Sequence, residues 1–161
     1  MKNIYNYTKF QLVWLVVLRV LIGWYFLYEG LAKVLTPDWT SFGYLMDSQG
    51  LLSSVFKLLT ANETVMSLVD FVNIYGLIVI GLSLILGFFD RIGTIGAISL
   101  LVLYCLSHPA LLGVSYVFRP EGSYLWVDKN LIMLAAVVVL MVFPTSKSIG
   151  LDRFIFRKVK E

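Results

Sequence analysis

The apolar residues of this chain fall into four long stretches, each closed by a proline or a charged turn. The first runs from about Leu12 to Leu35 and stops at Pro37; the second runs from about Ser67 to Phe89 and ends at Asp90-Arg91. The third, about Ile92 to Ser107, halts before Pro109, and the fourth, about Leu125 to Phe143, is closed by Pro144. A helix crosses roughly 30 Å of hydrocarbon with about 20 apolar residues, and proline breaks helices. The pattern predicts an all-α integral membrane four-helix bundle, a single transmembrane domain over residues 1–161.

The segment of about 39–60 has a different rhythm. Leu51, Leu52, Val55, Phe56 and Leu59 form a helical stripe, with Ser53, Ser54 and Lys57 on other faces. An amphipathic interfacial helix between helices 1 and 2 is expected here, with Trp39, Phe42 and Tyr44 as anchors at the water boundary.

Composition agrees with lipid as the solvent. The 161 residues are 59% hydrophobic and 14% charged, with a mean hydropathy of +0.85; a soluble domain is roughly 45–50% apolar. The formal charge of +3 comes with basic residues concentrated beside the last span, where anionic headgroups or a topology signal account for them better than nucleic acid does. The chain's single cysteine, Cys105, excludes an internal disulfide or dithiol pair, and its single histidine, His108, excludes bis-histidine haem and multi-histidine metal sites. No metal site is expected. Cys105 and the glycines read as packing residues. The run from Leu12 to Tyr28 is too long for a signal-peptide core and contains Arg19, so cleavage is not expected.

Lysines and arginines set the orientation. With four spans both termini share a side, which holds Lys2, Lys9, Arg91, Lys147, Arg153, Arg157, Lys158 and Lys160, eight residues against Lys57, Arg119 and Lys129 on the other. The excess predicts cytoplasmic termini in a plasma (inner) membrane. The interfacial segment and the loop from Pro109 to Tyr124 are then extracytoplasmic.

Arg19, inside the first span, must be paired or hydrated, because an arginine at mid-bilayer costs on the order of 3 kcal/mol. On a helical wheel Arg19, Gly23, Phe26, Gly30 and Lys33 share a face, with Glu29 about 80° from Arg19. Glu29 and Lys33 have the spacing of an ion pair. Asp70 and Asn73 on helix 2, His108 at the end of helix 3, and Trp126, Asp128, Lys129 and Asn130 at the start of helix 4 are expected at the outer level too. A pocket of ionisable and aromatic groups under an amphipathic cap suits a polar-headed lipophile such as a quinone. Lys33, Arg19, Asn130 and tyrosines would donate to its carbonyls, and Glu29, Asp70 or Asp128 would supply protons.

The string Arg19-Val-Leu-Ile-Gly23-Trp-Tyr-Phe-Leu-Tyr-Glu29-Gly30-Leu-Ala-Lys33 resembles the first-helix signature of the DoxX/DoxD family of small four-helix membrane proteins. Tyr75-Gly76-Leu77 with Gly81 to Arg91 resembles its second-helix pattern, and Asp128-Lys129-Asn130-Leu131 with Gly150-Leu151-Asp152-Arg153 its closing motifs. The family includes the membrane subunit associated with thiosulfate:quinone oxidoreductase and membrane partners in oxidant defence. The resemblance implies the fold first, and it carries over Arg19, Glu29, Lys33, Asp128 and Asn130 as candidate site residues.

Three functions follow as expectations. In the first, the chain is the membrane component of a quinone-linked redox system, with Glu29, Arg19 and Lys33 catalytic, an outer-leaflet quinone site at Asp70, Asn73, His108, Trp126, Asp128 and Asn130, and an extracytoplasmic redox partner. In the second, it is a non-catalytic scaffold whose cap captures partners. The third is a small-solute carrier or proton path, against which the lack of an internal repeat counts, although a homodimer would supply the missing half.

Overall fold

A computed structural model of the protein describes residues 7–109, 116–117 and 127–155. Every regular element described is helical: α1 Lys9–Leu35, α2 Phe42–Met46, α3 Ser53–Leu59, α4 Glu63–Leu86, α5 Asp90–Ser107, α6 Lys129–Val142 and α7 Asp152–Ile155. Three of them, α1, α4 and α5, are long and apolar enough to cross a membrane; α6 is a shorter apolar helix. The four pack in a ring, α1 on α4, α4 on α5, α5 on α6 and α6 back on α1. Here the end of the bundle that holds α2 and α3 is termed the cap end. The opposite end, with the α4–α5 turn and the segment after α6, is termed the tail end.

Caps, rather than the limits of the apolar runs, fix where the helices begin. Thr8 and Gln11 form a reciprocal capping box, so α1 starts at Lys9 instead of Leu12. The Asn62 side chain accepts from the backbone N–H groups of Thr64 and Val65, which starts α4 at Glu63 rather than Ser67. Gly87 takes a left-handed conformation, φ 61°, and ends α4 at Leu86 rather than Phe89. Asp128 caps α6 by accepting from the Leu131 N–H at 2.8 Å, so that helix begins at Lys129. Leu125 and Trp126, expected in its first turn, lie outside the described residues.

The segment of about 39–60 is two short helices, not one. Leu45 and Phe56 turn inward onto Met66, forming a small second core with Leu52, Leu59 and Val69. Leu51, Val55 and Leu58 stay exposed. Tyr44, expected as a surface anchor, instead packs inward, its ring stacked 4.0 Å from that of His108. The α2–α3 link is tied to the end of α5: the Ser107 carbonyl, which the helix cannot satisfy, accepts from Gln49 N, Gly50 N and Ser48 Oγ.

The main core lies midway along the ring, where Ile22, Phe26, Leu77, Ile80, Leu84, Ala97, Leu101, Val137 and Leu140 are buried together. It divides the polar interior of the bundle into two halves. At the α1–α4 crossing the backbones touch, since a Cβ on Gly81 would lie 2.5 Å from Leu27 N and 2.8 Å from the Gly23 carbonyl. Gly76, grouped with the packing glycines on sequence, has nothing within 4 Å of such a Cβ.

Candidate functional site

α1 brings Tyr25, Phe26, Glu29 and Lys33 to the cap end. The i, i+4 spacing of Tyr25 with Glu29, and of Glu29 with Lys33, keeps these side chains on neighbouring rows. They line a cavity of about 370 Å³, closed by Asn73 and Leu77 of α4, Leu101 and Tyr104 of α5, Lys129 and Asn130 of α6, and Trp39 to Tyr44 above. Its volume lies within the roughly 300–1,000 Å³ of small-molecule sites.

A hydrogen-bonded relay crosses this cavity. Lys33 Nζ donates to Asn73 Oδ1 at 2.6 Å, and Asn73 Nδ2 donates to the Tyr104 hydroxyl at 3.1 Å. Asn73 therefore replaces Glu29 as the direct partner of Lys33. Glu29 is half-buried beside Tyr25, within electrostatic reach of both Tyr25 and Lys33. The Lys33 ammonium also sits 4.8 Å from the ring centroid of Trp39, which roofs the site, and Lys129 sits 5.0 Å from that of Tyr25. Two ammonium groups, one carboxylate, two amides and several phenols thus converge on one space.

Of the residues expected here on sequence, Glu29, Lys33, Asn73 and Asn130 line the cavity. Asp70 stands behind it and ties the cap down, its Oδ1 accepting from Ser41 N at 2.9 Å and Ser41 Oγ at 2.5 Å. Asp128 is spent on capping α6. His108 lies one layer further out, under Tyr44. Its Nδ1 is 3.0 Å from Ser107 Oγ, and its Nε2 faces Asp47 Oδ2 at 3.6 Å. Burial lowers the His108 imidazole below its ordinary value against the opposing pull of Asp47, and raises the Tyr44 hydroxyl, so the stacked pair is neutral at pH 7. Trp126 lies outside the described residues.

Arg19 belongs to a different place. Ten residues before Glu29, it is about 15 Å away along the helix axis, beyond the apolar layer, and it does not line the cavity. It is 2% exposed. Its Nη1 donates to Thr145 Oγ1 at 3.0 Å and its Nη2 to the Ile149 carbonyl at 2.7 Å, with Asp90 and Asp152 near enough to supply counter-charge. Asp152 in turn accepts from Phe89 N at 2.8 Å and Asp90 N at 3.3 Å, capping α5. This cluster latches the segment after α6 across the α4–α5 turn.

Among the pocket residues, Lys129 is expected on sequence at the outer polar level but without a role, Trp39 only as an interfacial anchor, and Tyr25 and Tyr104 only as unspecified tyrosine donors. Tyr25 carries a readable signal, being one turn from Glu29; Tyr104 has none, because only the docking of α5 on α4 brings it to Asn73.

The DoxX family model matches residues 14–109, from within α1 to just past α5, and so takes in Arg19, Glu29, Lys33, Asn73 and Tyr104. This chain belongs to the DoxX family. No curated protein and no solved structure matches it. In this DoxX protein the first-helix signature accordingly serves two sites: Arg19 closes the tail end, while Glu29 and Lys33 furnish the cap-end cavity.

Proposed function

We propose that this DoxX protein is the quinone-binding membrane component of a redox system, taking a quinone head into the cap-end cavity. The observation that carries the reading is the enclosure of Lys33, Lys129, Glu29, Asn73, Asn130 and Tyr104 around a cavity of about 370 Å³ inside an apolar bundle. A quinone carbonyl accepts hydrogen bonds, and the ammonium, amide and phenol groups donate them. Reduction to the quinol takes two electrons and two protons. The electrons come from a redox partner docked on the cap end, with thiosulfate among the primary donors to test. Lys33 and Lys129 stabilise negative charge developing on the ring oxygens, and Glu29 hands over a proton.

In this reading α6 belongs to the fourth span, and α2 and α3 lie at the outer interface with Leu51, Val55 and Leu58 towards the headgroups. Both termini are cytoplasmic, as the distribution of lysine and arginine favours.

The test is to extract the purified protein for bound quinone and to follow quinone reduction with thiosulfate and other reductants. Glu29→Gln is expected to lower turnover about 100-fold while the melting temperature is unchanged; unaltered turnover removes Glu29 from the chemistry. A protein that binds no quinone returns the chain to the scaffold reading, in which the cap captures partners.

A further inference from the structure

A second cavity, of about 340 Å³, lies on the far side of Tyr44, Asn73 and Tyr104 from the first. These three residues and Ser41 line both spaces, so they are the wall between a charged chamber and a neighbouring one. The second is faced mainly by hydrocarbon from α3, α4 and α5, including Phe56, Val69 and Leu100. It opens sideways between α4 and α5, where Leu68, Val72 and Leu103 are 62%, 54% and 42% exposed on the outer, apolar surface of the bundle.

We infer that this apolar cleft holds the prenyl tail of the quinone whose head fills the polar cavity, the two meeting at the Tyr44–Asn73–Tyr104 wall. The inference rests on the quinone reading above and narrows the ligand class to long-tailed, membrane-dissolved quinones. A head small enough for the polar cavity needs no second chamber, but a tail anchored to that head must leave it, and the cleft adjoins the polar cavity across a single layer of side chains, Ser41, Tyr44, Asn73 and Tyr104, and reaches the exposed Leu68, Val72 and Leu103. Lipid chains are as apolar as the cleft, so moving a tail from bilayer to cleft gains little hydrophobic energy. The cleft therefore acts on orientation and choice of ligand, and the polar contacts hold the head.

The experiment uses the full-length protein in vesicles and compares a long-tailed prenyl benzoquinone with the tail-less ring, reading quenching of tryptophan fluorescence at matched membrane concentrations. Val72→Phe and, independently, Leu68→Phe fill the cleft from positions more than half exposed, so neither displaces core residues. Each is expected to weaken the tailed quinone about tenfold while leaving the tail-less ring within twofold of the parent. Equal effects on both ligands, or none on either, overturn the tail assignment while quinone binding itself stands. Quenching by phospholipids brominated on their acyl chains that the tailed quinone fails to displace assigns the cleft to ordinary lipid and also overturns it. If the parent protein binds neither ring, the quinone reading and this inference fall together.

Discussion

Arg19 shows how a charge is kept inside an apolar bundle. Its guanidinium gives one N–H to a threonine hydroxyl and another to a backbone carbonyl, with two acidic residues nearby. Replacing it with methionine leaves Asp90, only 3% exposed, beside Asp152 without their cation. Removing one member of a buried charge cluster costs on the order of 3 kcal/mol, so Arg19→Met is expected to lower the unfolding midpoint in detergent strongly. Ligand affinity at the cap end, about 15 Å away along the helix, is expected to hold in the fraction that stays folded; a selective loss of affinity would return Arg19 to the site. His108 makes a pH-dependent counterpart. It is 1% exposed, between the Tyr44 and Tyr116 rings and facing Asp47. Because burial lowers its folded-state pKa, the unfolded or undocked chain binds the proton first. Its contribution is fully present above about pH 6.5, the ordinary histidine value, and is lost as pH falls below it. Protection of the Gln49 and Gly50 amides, which bond to the Ser107 carbonyl, taken as their exchange rate relative to that of the free peptide at the same pH, is expected to fall on acidification, and His108→Phe to flatten that response.

At the scale of the helices, the four apolar elements were legible because lipid demands long hydrophobic runs and prolines close them. Their starts were less so, since the caps at Thr8, Asn62 and Asp128 are single polar residues outside the periodic pattern. The segment of about 39–60 shows the stripe that Phe56 and Leu59 report, but the break between α2 and α3 and the inward turn of Tyr44 come from tertiary docking on α5. The site was readable in part for the same reason. Glu29 and Lys33 stand out on one helix, whereas the partnership of Lys33 with Asn73 and Tyr104 exists only once α1, α4 and α5 are packed. Glycines make the limit measurable, for composition treats Gly76 and Gly81 alike. Gly81→Ala pushes a methyl group against Leu27 N and the Gly23 carbonyl, and overpacking of this kind costs about 1–3 kcal/mol. Gly76→Ala meets open space and removes a helix penalty of up to about 1 kcal/mol. Unfolding of the two variants in detergent is expected to move in opposite directions.

The whole molecule is a bundle with a polar chamber at one end, a polar latch at the other and a sealed layer between them. Ile22, Phe26, Leu77, Ile80, Leu84 and Leu101 fill that layer and are at most 7% exposed. No ionisable side chain belongs to this core cluster, so among the described residues a proton on Glu29 has no stepping stone through it towards Arg19, Asp90 or Asp152. Buried acids and bases in a membrane protein often mark a route across the bilayer, but here the two charged groups are insulated from each other. In the proposed quinone reduction, the protons consumed at the cavity are then expected to enter from the cap side alone. In vesicles with the protein in one orientation, acidifying the cap-side compartment is expected to change the rate of quinone reduction, while the same step on the tail side leaves it unchanged. A pH-sensitive dye trapped on the tail side is expected to record no proton uptake during turnover. Uptake there at the rate of quinol formation would mean that the layer opens, and the chain would have to be read as a proton path.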